Sequence, residues 1–117
     1  MDYSVKNTEI RIGTSLSLPL DLGEDAYSVA IGLPGNWTAA NLTFQGCATP
    51  DGEYRELNDV SGNAYTVTAS AGKWHSATAL SDTLRPFRFI KVRSGTVALP
   101  VNQTGDVKYI TVIVKSA

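Results

Sequence analysis

Nucleophilic catalysis of the Ser-His-Asp kind needs a histidine held by a carboxylate and facing a nucleophile. This 117-residue chain has one histidine, His75, set between Trp74 and Ser76. Neither neighbour supplies a carboxylate, and His75 reads as a surface or rim residue. The one cysteine, Cys47, has no Lys, Arg or His beside it in sequence. A low thiol pKa needs such neighbours, so a buried, inert thiol is expected. One Cys and one His do not make a zinc site. Asp21, Glu24 and Asp25 form one acidic loop, and Asp51 and Glu53 another. Neither has the ligand spacing of a calcium loop, and both read as surface turn acids. Glu53, Glu56 and Asp59 are close in sequence, but on a strand Glu53 and Glu56 face opposite sides. They read as solvated hairpin charges rather than as the paired acids of a glycosidase. No glycine-rich loop opens a helix to cradle a phosphate. The expectation is a protein that is not an enzyme and uses no metal and no cofactor.

Binding chemistry is better represented. Aromatic side chains beside polar loops stack on sugar rings or anchor protein interfaces. Trp74, Tyr54, Arg55 and Arg85 are the candidate binding residues, placed in loops or at strand ends on a background of only 18% charged residues. Trp37 follows Pro34-Gly35-Asn36 and precedes the small residues Thr38-Ala39-Ala40. It is expected to plug one end of the core, since Trp is highly buried on average.

The elements that must carry these residues are strands. Turn signals recur roughly every eight to twelve residues, the rhythm of a sandwich or barrel. They include Gly13, Gly23, Pro34-Gly35-Asn36, Pro50-Asp51-Gly52, Ser61-Gly62-Asn63, Ala71-Gly72, Ser94-Gly95 and Thr104-Gly105-Asp106. Period-two alternation predicts strands at 5–12, 15–20, 27–33, 41–47, 54–57, 65–68, 87–93 and 109–115. Asp51-Gly52 predicts a two-residue hairpin between the fourth and fifth. In the last strand Ile110, Val112 and Val114 point one way and Tyr109, Thr111, Ile113 and Lys115 the other. It is the most hydrophobic segment and is expected at a sheet centre, with Lys108 and Lys115 as flanking gatekeepers. No window holds helical periodicity for three turns, so helix should be nearly absent. The expected fold is all-β: an antiparallel, jelly-roll-like sandwich of about eight strands. One domain spans 1–117, with 1–20 as an N-terminal arm or edge strand, a place that suits Pro19.

Composition narrows the partners. Hydrophobic residues make up 43%, which excludes general disorder. The formal net charge is −1 with no basic block, so nucleic acid is not expected as a partner. No apolar run approaches the roughly 20 residues that span a bilayer, and no membrane association is expected. The N-terminus has no signal-peptide pattern, which implies synthesis in a cytoplasm.

Four motifs carry a resemblance. Gly35-Asn36-Trp37-Thr38-Ala39-Ala40-Asn41-Leu42-Thr43-Phe44-Gln45-Gly46 is followed by Tyr65-Thr66-Val67-Thr68-Ala69, by Arg88-Phe89-Ile90-Lys91-Val92-Arg93-Ser94-Gly95-Thr96 and by Pro100-Val101-Asn102-Gln103. In this order they resemble small structural proteins of tailed bacteriophages and prophages, from about residue 26 to the C-terminus. The resemblance implies a virion component made in the host cytoplasm: a capsid decoration (cement) protein, or part of a head fibre or spike. Its partners would be the major capsid protein or other virion proteins, and it would form homo-oligomers, with trimers suiting a shell's three-fold positions. A looser similarity is to discoidin-like and galactose-binding jelly rolls, which share a Trp-led strand, an Asp-Gly hairpin and the Arg88-to-Arg93 strand. It implies a carbohydrate-binding module as the alternative.

Overall fold

Residues 3–49 and 51–116 are described by the computed structural model. They form eight strands and one short helix: β1 (Tyr3–Ile10), β2 (Leu20–Asp21), β3 (Ala26–Gly32), β4 (Leu42–Cys47), β5 (Arg55–Glu56), β6 (Trp74–Ser76), α1 (Thr78–Leu84), β7 (Phe89–Ser94) and β8 (Lys108–Ser116). Every pairing is antiparallel. The strands form two four-stranded sheets, β1-β8-β3-β6 and β2-β7-β4-β5. Each sheet interleaves strands from the two ends of the chain, which is the double Greek key of a jelly roll. The expected all-β sandwich is the observed fold.

Alternation decides which side chains meet between the sheets. Val29, Ile31 and Leu33 from β3 and its end, Ile110, Val112 and Val114 from β8, Leu42 and Phe44 from β4, and Ile90 and Val92 from β7 are all buried there. Strand β8 lies between β1 and β3, the central place its hydrophobicity called for. Trp37 is buried, and its indole N–H donates to the Ala40 carbonyl at 3.2 Å, so it plugs the core as expected. Cys47 is buried as well.

Several local expectations are corrected. Asp51-Gly52 does not make a two-residue hairpin: β4 ends at Cys47 and β5 starts at Arg55, a longer connection in which Pro50 lies outside the described residues. The segment 65–68 does not form a strand. Val67 forms a single bridge to Leu42, while Tyr65, Val67 and Ala69 pack on the core. Trp74, expected in a loop, begins β6. Lys108 is no exposed gatekeeper: it is buried, and its amine donates to the Thr104 carbonyl at 2.5 Å.

Helix α1 had no periodic signature because it is under two turns long. It buries Leu80, Ser81 and Leu84, and Pro86 follows its C-cap Arg85. Where the short β6 ends, α1 takes over the open side of β3: the Val29 N–H donates to Ser81 Oγ at 3.0 Å.

Candidate functional site

The two outer faces of the sandwich differ in kind. On the β2-β7-β4-β5 sheet the outward side chains are paired with one another. Arg93, nearly buried, donates through Nη2 to Glu56 Oε2 at 2.7 Å and through Nη1 to Glu56 Oε1. Gln45 Nε2 donates to the same carboxylate at 2.6 Å, and Thr43 Oγ1 lies 3.3 Å from Arg93. The hydrogen bonds from Arg93 hold the Glu56 carboxyl below its ordinary pKa, against the upward push of partial burial. Glu56 is therefore not the solvated hairpin charge its sequence context suggested. Beside this network the Lys91 amine sits 4.4 Å from the Tyr54 ring centre. Burial raises the Tyr54 pKa, with a further push from nearby Cys47. At the corner Arg88 pairs with Asp21 and Glu24, and its hydrogen bond draws the Asp21 carboxyl down.

The outer face of the β1-β8-β3-β6 sheet is unlike this. Register places its side chains in rows: Val5, Ile113, Ala30 and Ser76 in one, and Asn7, Thr111, Gly32 and Trp74 in the next. Neither row contains a charge. Tyr3 and Lys115 face each other beyond the first row, and Glu9 and Tyr109 beyond the second. Tyr3 is 70% exposed, Val5 54%, Tyr109 63% and Trp74 55%. The Trp74 ring lies on Gly32, where an added Cβ would come within 2.8 Å of ring carbon. Glycine at this point lets the indole lie flat on the sheet with its other face open.

At one corner a groove of about 480 Å³ runs between this sheet and α1. One extra residue in β3 shifts its register against β8 between Ala26 and Ser28, which turns Tyr27 out to the groove wall. The Arg85 guanidinium lies 5.3 Å from the Tyr27 ring centre, pairs with Asp82 and donates to the Tyr27 carbonyl at 3.3 Å. Ser76, Thr78, Ile113 and Lys115 are among the other lining residues.

The four candidate binding residues do not converge. Trp74 stands on the aromatic face and Arg85 in the groove at its corner. Arg55 begins β5 in the other sheet and pairs loosely with Glu53 at 3.6 Å, and Tyr54, just before β5, meets Lys91. Sequence alone does not single out Tyr3, Val5, Tyr27 and Tyr109. The available signal was a Tyr or Ile recurring in the outward phase of β8, where a solvated face would be polar. His75, in β6, is half-buried, and its Nε2 lies 3.2 Å from the Ser70 nitrogen, whose N–H it accepts.

No family model matches the chain, and no curated protein matches its sequence. Among solved structures, the SPBc2 prophage-derived protein YomS superposes with a TM-score of 0.54 at 16% identity, covering 98% of this chain and 96% of that one. The CBM32 of AlyQ, in complex with 4,5-unsaturated mannuronic acid, gives a TM-score of 0.44 at 15% identity, covering 95% of this chain and 78% of that one. Likeness at such identities is a likeness of fold: the chain shares the YomS fold over nearly the whole length of both proteins.

Proposed function

We propose that this chain is a structural component of a phage or prophage virion, a capsid decoration or head-fibre protein that acts through protein–protein contacts and turns over no substrate. The observation that carries this reading is the outer face of the β1-β8-β3-β6 sheet. Its centre is free of charge and its rim holds exposed aromatic residues, the composition that marks the middle of a protein interface. The opposite face has its charges already paired, so the docking energy has one obvious source. The prophage origin of YomS agrees with the setting. A small domain repeated over a shell holds firmly even when each copy binds weakly, because attachment is multivalent. The test mixes purified protein with shells that lack it, sediments them, and measures occupancy and shell stability. Saturable occupancy is expected; absence of binding to shells or virion partners counts against the proposal.

A second reading, a carbohydrate-binding module, is favoured by the groove at Tyr27. An exposed aromatic ring, a guanidinium, a carboxylate and several hydroxyls, among them those of Ser76 and Thr78, around one depression can hold a sugar by stacking and hydrogen bonds. Glycan-array binding that is lost in a Tyr27→Ala variant, with no binding to shells, would establish this reading over the first.

A further inference from the structure

Three of the four sheet edges are blunted by being short: β6 has three residues, and β2 and β5 have two each. Short edge strands are a common protection against unwanted pairing. Strand β1 is the exception. It is eight residues long, pairs with β8 on one side only, and keeps an unbroken register from Tyr3 to Ile10.

Alternate residues of such a strand aim both backbone groups away from the sheet. Glu9 fixes which set does so, because its carbonyl accepts the Leu18 N–H at 3.0 Å from outside the sheet. Leu18 also accepts the Thr8 hydroxyl at 2.7 Å, so this segment covers the far half of the edge. Tyr3, Val5 and Asn7 share the phase of Glu9, and among the described residues their outward N–H and C=O groups have no partner. No proline or bulge interrupts this stretch. Its one charged residue, Lys6, lies in the inward phase opposite buried Val112.

We infer that the open half of β1 pairs with the same strand of a second copy, joining two four-stranded sheets into one of eight across a twofold axis. The edge is self-complementary in one register, with Val5 opposite Val5, Tyr3 opposite Asn7 and Ser4 opposite Lys6. That register forms about six hydrogen bonds, two for each of three pairs. Centring the axis on Lys6 instead sets two like charges face to face and calls on Glu9, whose carbonyl is already taken. Centring it on Ser4 leaves Asn7 without a partner among the described residues. A second copy meets both the hydrogen-bonding and the charge requirement, and such an isologous contact closes on itself. It also doubles the aromatic face, since the two Val5 side chains meet at its middle. The inference stands whether or not the protein belongs to a virion.

Sedimentation velocity across a concentration series tests it, with Val5→Pro as the probe. Proline removes an N–H that faces away from β8, a place where edge strands tolerate it. The wild type is expected to dimerise, and Val5→Pro to weaken the dimer at least ~30-fold through two lost hydrogen bonds and a steric block, with its thermal midpoint close to that of wild type at dilutions where both are monomeric. A wild type that stays monomeric up to roughly millimolar concentration, or a dimer indifferent to Val5→Pro, overturns the inference. The first of these results is also what pairing with a different protein's strand would give. Should Val5→Pro fail to fold, Val5→Cys in a Cys47→Ala background gives a second route. Paired Val5 positions lie within disulfide reach, so oxidation should link Val5→Cys into dimers but leave a Thr104→Cys control monomeric. Failure of Val5→Cys to link overturns the inference.

Discussion

Arg93 and Glu56 show what a single pair can do on a sheet face. The Arg93 side chain is 9% exposed and Glu56 is 37% exposed, so removing the carboxylate leaves a nearly buried guanidinium without its main partner. Glu56→Gln is expected to cost about 1–2 kcal/mol near pH 7, the usual value for charged hydrogen bonds discounted for solvent screening. The pH dependence has a definite sign. The Glu56 pKa is lower folded than unfolded, so its stabilisation is present above the ordinary value of 4.5 and fades as pH falls through the folded value. Urea midpoints of wild type and Glu56→Gln should therefore differ at pH 7 and draw together as pH falls below 4.5; a gap constant with pH would contradict this. Residues whose environment is local were legible in the sequence: Cys47 from its uncharged neighbours, Trp37 from the turn before it and the small residues after it. Glu56 was not, because its partner lies 37 residues away and only the fold brings them together. Tyr27 fits the β3 alternation in sequence and leaves it only because of a register shift that no local signal marks.

Among the elements, those set by alternation were legible and those set by tertiary context were not. Strands β3, β4, β7 and β8 follow from runs of apolar residues at period two. Strands β5 and β6 are two and three residues long and exist because a neighbour offers an edge. Helix α1 forms for a similar reason: its Ser81 hydroxyl serves the backbone of β3 beyond the end of β6. The two phases of β8 should separate cleanly by mutation. Ile110 is fully buried between the sheets, and Ile110→Ala is expected to destabilise by about 2–5 kcal/mol. Ile113 is half-buried on the outer face, and Ile113→Ala should cost about 1 kcal/mol or less for the smaller area withdrawn from water. Chemical denaturation of both variants checks this; equal losses would mean that the outer face is covered by something packed on it.

For the molecule as a whole, one sheet presents a satisfied polar surface and the other an aromatic surface without charge at its centre. The sandwich class was legible because turn rhythm and alternation act over short distances, and the order of strands within each sheet emerged only with the long connections in place. The candidate site was legible in one part: Trp74 was found as an exposed aromatic, while the face it belongs to is assembled from β1, β3, β6 and β8. That face is the centre of the account. Its most direct test compares shell occupancy of Tyr109→Glu with that of Lys91→Glu, a charge change of similar kind on the opposite face. Tyr109→Glu is expected to lower affinity for shells or virion partners at least ~30-fold, by burying a carboxylate at the contact, while Lys91→Glu stays close to wild type. Loss of binding in Lys91→Glu with Tyr109→Glu unaffected would place the contact on the other sheet and contradict the account.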